Sequence, residues 1–235
     1  MDCPELSIIV ATFDEQGTIE QCVRRILAVF PDGCEVLVVD GGSDDTETIA
    51  RRIAAEDPAV RYVRNHNDRG KGHAIRTGVS QARAQIMAQI DADLQFLPED
   101  LPKVAAPIRE GRADVTLGTR FASGSVRLAG STRWYRTLGN KTASAYASLL
   151  SWHRMTDVQA GIKAWTAEAI RAIDLRSDSY SYEAEIPVKA LKKGFRVLDV
   201  PVTTDARQGG QTKVNVFSNG LPLLWDITRF RLGLK

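Results

Sequence analysis

Four short runs in the first 90 residues leave little choice of fold. Leu6–Thr12 is β-branched, apolar and unbroken; Glu35–Val39 and Val60–Val63 read as a second and a third, shorter strand, and Ile86–Gln89 as a short apolar one. Between them the apolar positions follow a helical period: Ile19, Cys22, Val23, Ile26, Leu27 and Phe30, then Ile49 and Ile53, then Ala74, Ile75, Val79 and Ala82. Unbroken apolar strands belong to a parallel sheet covered on both faces. Strand alternating with helix across short loops predicts that sheet, so the expected class is α/β, mainly parallel, with helices on both faces. Thr18 is placed to cap the first helix, with Gln21 completing a capping box.

In such sheets the ligand lies beyond the carboxyl ends of the strands. Acids follow the strands here: Asp14-Glu15 after the first, Asp40 after the second, Asp91-Ala92-Asp93 after the fourth. They are expected to gather on one edge. Alternate residues of an extended chain point the same way, so Asp91, Asp93 and Gln95 are expected to converge. Paired carboxylates repel unless a cation lies between them. A hard divalent ion, Mg²⁺ or Mn²⁺, suits oxygen ligands of this kind and keeps waters or phosphates as its other ligands.

Composition narrows the setting. A chain of 235 residues suits one large domain or two small ones, and 43% apolar with 26% charged content is ordinary for a soluble globular protein. The apolar run from Leu6 to Ala11 is far short of the ~18 residues that span a bilayer. The start, Met1-Asp2-Cys3-Pro4-Glu5, lacks a basic secretory leader, and the three cysteines have no metal-ligand spacing. A reducing cytoplasm is expected. The net charge of +2 hides two basic segments, 119–163 and 189–235, each at +6. Either could face anionic phosphates or an anionic membrane. The tail from Gly220 to Lys235 mixes Leu, Trp, Ile and Phe with Arg and Lys, a pattern that suits an amphipathic helix at a membrane surface or one packed on the domain.

The order of motifs resembles family 2 glycosyltransferases of the GT-A fold, and most closely their dolichol/polyprenyl-phosphate mannose (or glucose) synthase-like branch. S-I-I-V-A-T-F-D-E at 7–15 resembles the first family motif, with Ala11 in place of its proline. V-V-D-G-G-S-D-D-T at 38–46 resembles the second, with Gly41 for an aspartate. G-K-G-H-A-I-R-T-G at 70–78, I-D-A-D-L-Q at 90–95, G-T-R at 118–120, R-T-L-G-N at 136–140 and T-D-V-Q-A-G-I-K at 156–163 follow in the family order. The acidic helix and closing strand at 183–202 and R-Q-G-G-Q-T-K at 207–213 complete it.

The resemblance implies one GT-A domain over 1–235. Residues 1–118 would bind nucleotide-sugar and metal, and 119–235 the acceptor, ending in the amphipathic tail. Ala11, Phe13, Glu15 and Asp40 would line the nucleoside pocket. Asp91 and Asp93, assisted by Gln95, would hold the divalent metal. Arg120 and Arg136, with Asn140, would lie near an acceptor phosphate, Arg133 competing for the Arg136 role. Arg207 and Lys213 would sit on a loop over the donor diphosphate. Asp157 and Glu185 are the acids best placed by motif to act as a base, or to orient the sugar or the arginines.

The implied reaction is inverting transfer of mannose or glucose from a nucleotide-sugar, GDP-mannose or UDP-glucose, to a polyprenyl or dolichyl phosphate. It would occur at the cytoplasmic face of a membrane, with no nucleic-acid partner. Many members of the branch continue past this point into membrane-spanning helices. The chain is therefore expected to be a peripheral enzyme, a subunit anchored by a membrane partner, or a trimmed form. Two readings stay open on sequence alone. One is transfer to a glycan, glycolipid or small-molecule hydroxyl, for which the departures at Ala11, Gly41, Ile162 and Lys163 leave room. The other is a non-catalytic nucleotide-binding or scaffold subunit, against which the intact Asp91–Gln95 set argues.

Overall fold

The computed structural model describes residues 4–128, 130, 134–209 and 216–234. It opens as the apolar runs require: β1 (Leu6–Thr12), α1 (Ile19–Val29), β2 (Cys34–Asp40), α2 (Thr46–Glu56), β3 (Val60–Arg64), α3 (Lys71–Gln81) and β4 (Ile86–Gln89). β1, β2 and β4 are buried almost throughout, as strands covered on both faces must be. A short 3₁₀ turn at Pro98–Asp100 leads into α4 (Leu101–Arg109) and β5 (Val115–Thr119). There follow β6 (Val126–Arg127), α5 (Trp134–Ser151), β7 (Lys163–Thr166), α6 (Ala167–Ile173), α7 (Tyr182–Lys192), β8 (Val197–Pro201), β9 (Thr203–Thr204) and α8 (Val216–Leu232).

The main sheet runs β3-β2-β1-β4-β7-β5-β8. All its neighbours pair parallel except β7, which runs antiparallel between β4 and β5 with Met87 opposite Trp165. Alternation along the strands splits the core in two. Ile8, Val10, Val36 and Val38 face α1, α2 and α4, while Ile9, Leu37 and Val39 face α3 and the helices of the second half. The order reverses at β1, with β2 on one side and β4 on the other, so a crevice opens beyond their carboxyl ends.

Two local expectations give way. Thr18 makes no side-chain cap to α1; its hydroxyl lies 3.3 Å from Glu15 Oε2 instead, so the capping box does not form. The chain after β4 is not extended. Leu94 adopts φ 59°, a left-handed turn, and breaks the alternation that would have aligned Gln95 with Asp91 and Asp93.

Candidate active site

A cavity of about 880 Å³ fills the crevice. Ala11, Phe13 and Glu15 reach it from the end of β1, and Asp91 and Asp93 from the end of β4. Asp68, Lys71, Tyr180 and Arg207 close it from three further segments. Six residues singled out by motif are thus brought together: Ala11, Phe13, Glu15, Asp91, Asp93 and Arg207.

The charges balance in pairs. Asp93, 3% exposed, lies 2.6 Å from Arg207 Nη2 and accepts the Gln95 N–H at 2.9 Å. Asp91 Oδ1 lies 2.6 Å from the Lys71 ammonium, an ion pair poorly angled for a hydrogen bond, so that this buried oxygen has no directed partner. Burial, and then the Asp91 charge, pushes the Asp93 carboxyl above its ordinary range against the pull of Arg207. Burial, and then Asp93, likewise raises Glu15. Three carboxylates, Glu15, Asp91 and Asp93, are thus crowded at the end of the cavity against two cations, Lys71 and Arg207. That donor set fits a hard divalent cation held by one or two carboxylates with a diphosphate completing its shell. Among the described residues no group of three or more His, Cys, Asp or Glu is spaced as a closed protein cage.

The other expected residues lie elsewhere. Asp40 is 1% exposed beneath the cavity, where it accepts from the Thr12 hydroxyl and the Gly42 N–H at 3.0 Å and from Arg64 at 3.2 Å. It braces the loops that form the wall and is not among the lining residues. Gln95 is not among them either, for the backbone reason given above. Arg120 is spent on Asp157: Nε donates at 2.6 Å and Nη2 at 2.8 Å, with the guanidinium between Phe96 and Phe121. Both Asp157 oxygens are engaged, and Asp157 is wholly buried and not among the residues lining the cavity. Glu185, wholly buried, accepts the Arg176 and Ser177 N–H groups at 3.0 and 2.8 Å and pairs with Lys189. Asn140, on α5, lines a second cavity, while Arg136 on the same helix is half-buried and lines neither cavity. Lys213 and Arg133 lie outside the described residues.

Sequence reasoning passed over Lys71 and Tyr180. Lys71 stood within the quoted G-K-G. The glycine after it carries the signal: a Cβ on Gly72 would strike the Ser177 carbonyl, and the Gly72 N–H donates to Asp178 at 2.9 Å. That close approach docks the first turn of α3 on the 177–180 loop and sets Lys71 beside Asp91, on the cavity that Tyr180 also lines. Gly161 makes the same kind of room, since a Cβ there would run into the Asp91 carboxylate. Gly161→Ala should therefore re-aim Asp91 with little change in melting temperature. Its kcat/KM should fall by about 10–100-fold, the scale of an ångström's misplacement; steady-state kinetics beside a thermal melt checks both.

Comparisons with known proteins bear on the family and the fold. The model for glycosyl transferase family 2 matches residues 7–167. An undecaprenyl-phosphate mannosyltransferase of Micrococcus luteus is 30% identical over 243 residues, 96% of this chain and 98% of that one. A polyprenol monophosphomannose synthase of Mycolicibacterium smegmatis is 30% identical over 217 residues, 88% of this chain and 80% of that one. A solved glucosyl-3-phosphoglycerate synthase from Mycobacterium tuberculosis, in complex with Mn²⁺, UDP and phosphoglyceric acid, aligns with TM-score 0.75 at 19% identity, over 99% of this chain and 80% of that one. The fold is GT-A, the architecture of nucleotide-sugar transferases. The chain belongs to glycosyl transferase family 2, within which it resembles the polyprenyl-phosphate mannose synthase-like branch, and it is a glycosyltransferase.

Proposed function

We propose that the enzyme transfers a hexose from a nucleoside diphosphate sugar, GDP-mannose or UDP-glucose, to the phosphate of a polyprenyl lipid. The observation that carries this is the second cavity, about 440 Å³. Trp134, Tyr135, Leu138, Leu223 and Leu224 make its walls apolar, and it shares Ser179 and Tyr180 with the first. A polar chamber for a sugar nucleotide thus adjoins an apolar one, as a phosphate on a hydrocarbon chain requires. The lipid-phosphate mannosyltransferases among the relatives support the same acceptor class.

Asp91 and Asp93 would hold a Mg²⁺ or Mn²⁺ ion. When bound, it supplies Lewis-acid neutralisation of the departing diphosphate. The chain's own residues do the rest. Phe13 lies where a base could rest against it, and Glu15 can accept hydrogen bonds from hydroxyl or N–H groups. Arg207 offers a guanidinium to phosphate oxygens. A lipid phosphate is already anionic at neutral pH and attacks without a general base, which accords with the engaged oxygens of Asp157 and Glu185.

The outer surface supports a membrane setting. Trp134, Leu138 and Leu149 lie along one exposed stripe of α5, with Trp152 exposed just beyond its end, and Leu221, Trp225 and Leu232 lie along one of α8. The two helices pack side by side, joined by the Tyr146 and Thr228 hydroxyls at 2.8 Å. No helix among the described residues is long and apolar enough to cross a membrane. Two parallel stripes edged by tryptophan suit a monolayer interface.

The test is transfer of radiolabelled sugar from GDP-mannose and from UDP-glucose to undecaprenyl phosphate in vesicles and to a short, water-soluble prenyl phosphate. Transfer to both lipids and to no sugar hydroxyl is expected. A Trp152→Glu/Trp225→Glu variant should lose vesicle binding and transfer to the long lipid while keeping transfer to the short one. Transfer to hydroxyl acceptors alone would overturn the reading.

A further inference from the structure

Lys163 is a buried ammonium, and lysine is almost never fully buried without a partner. It stands on β7 and meets Glu183 of α7 and the Ala160 carbonyl. Glu183, itself 3% exposed, is shared. Its Oε1 accepts from Lys71 Nζ at 2.9 Å and from the Tyr182 hydroxyl at 2.6 Å, while Gln89 Nε2 lies 3.3 Å from Oε2. Lys71 in turn reaches Asp91. Four charges of alternating sign therefore run from beneath the sheet to the cavity: Lys163, Glu183, Lys71, Asp91. Their sum is zero, the condition under which buried charge is tolerated. Glu183 stays ionised; burial pushes its carboxyl up, but Lys163 and then Lys71 outweigh it and hold it down to about 2.

Lys71 thus has two carboxylates, and a divalent ion at Asp91 competes for only one of them. We infer that Glu183, fixed by Lys163, is a positioning residue that retains the Lys71 ammonium when Asp91 turns to the metal. Without that second carboxylate, Lys71 has Asp91 alone, and the ion must break a poorly hydrated pair to gain its ligand. This rests on the reading of Asp91 as a metal ligand. The Glu183 charge does not touch substrate in this scheme; it acts through Lys71.

Mn²⁺ binding by electron paramagnetic resonance, on the full chain with saturating GDP and in parallel with UDP, tests it without any turnover. Glu183→Gln alone strands the buried Lys163 charge, so the informative variant is Glu183→Gln/Lys163→Met. It removes two opposite charges together, and the amide can still meet Tyr182 and Gln89. Its Mn²⁺ Kd should rise about tenfold or more, the usual scale for loss of a group behind a metal ligand. Adding Lys71→Met to that pair should return the Kd to the wild-type value or below it, because nothing then holds Asp91. Unchanged affinity in the paired variant overturns the inference while the metal reading survives. So does a triple variant as weak as the paired one, which would mark the cluster as scaffolding. Wild type that takes up no Mn²⁺ with either nucleotide overturns the metal reading, and this inference with it.

Discussion

Asp93→Asn should abolish glycosyl transfer and, without metal, make the protein more stable. The first effect follows from the proposed ligand role: losing a carboxylate that would hold the ion opposite the leaving diphosphate should lower kcat/KM by about three to four powers of ten, or ~4–5 kcal/mol. The second follows from the electrostatics of the cavity. The Asp93 pKa is raised in the folded protein by burial and then by Asp91, so the folded state holds that proton more tightly than the unfolded chain does. Ionising Asp93 therefore opposes folding at every pH above its folded pKa, and the penalty fades as pH falls through that value towards the unfolded one. An asparagine escapes the penalty and can still accept the Gln95 N–H. Arg207 loses its partner, but at 31% side-chain exposure it remains solvated. The melting temperature of the metal-free variant should thus exceed wild type at pH 7, with the gap closing under acid. Glu15, raised by burial and then by Asp93, should relax in the same direction. Melts across pH with EDTA, beside kinetics with Mn²⁺, check both halves. A variant less stable than wild type at pH 7 would contradict the account of the cavity.

Arg120 and Asp157 carry the largest expected stability effect. The pair is almost fully buried and bidentate. Removing one partner leaves an uncompensated charge, which costs about 3–5 kcal/mol. In a domain of this size each kcal/mol moves the midpoint by about 2–4 °C. Arg120→Met should therefore melt well over 5 °C lower. Arg120→Met/Asp157→Asn, which removes both charges, should recover most of the loss. Non-additivity of that kind in calorimetry identifies the pair as a structural clamp. Recovery of stability without recovery of transfer would show in addition that the pair serves the reaction as well as the fold.

Much of the molecule was legible in the sequence, for a physical reason. Parallel strands buried on both faces must be apolar throughout, so β1, β2 and β4 announce themselves, and acids at their carboxyl ends must share one edge. What stayed hidden depended on single torsions and on facing between distant elements. The left-handed turn at Leu94 removes Gln95 from the alignment that alternation implied, and nothing in I-D-A-D-L-Q marks it. Glu183 and Glu185 lie two residues apart, and so face nearly opposite sides of α7. Because α7 is buried from Tyr182 to Val188, hydrophobic periodicity could not say which acid looks toward Lys71. The motif favoured Glu185, which is locked onto the 176–177 backbone, while the cavity network uses Glu183. Lys163, Glu183 and Lys71 come from a strand and two helices far apart in the chain, and only the close packing around Gly72 joins them.

The reversed direction of β7 has a consequence for how such enzymes can diversify. Because β7 runs against its neighbours, the stretch leading into it lies near the edge where the parallel strands finish. β5 finishes at that edge just before Arg120, and the chain is back at it at Thr156-Asp157. The two ends are stapled by the 2.6 Å ion pair and by the Thr119 and Thr156 hydroxyls at 2.7 Å. Between those ends lie β6, paired with β9, and α5, which carries Trp134 and packs on α7 and α8. Among the described residues, none between Phe121 and Met155 lines the first cavity, so exchanging the exposed apolar face of α5 is expected to leave that cavity's walls in place.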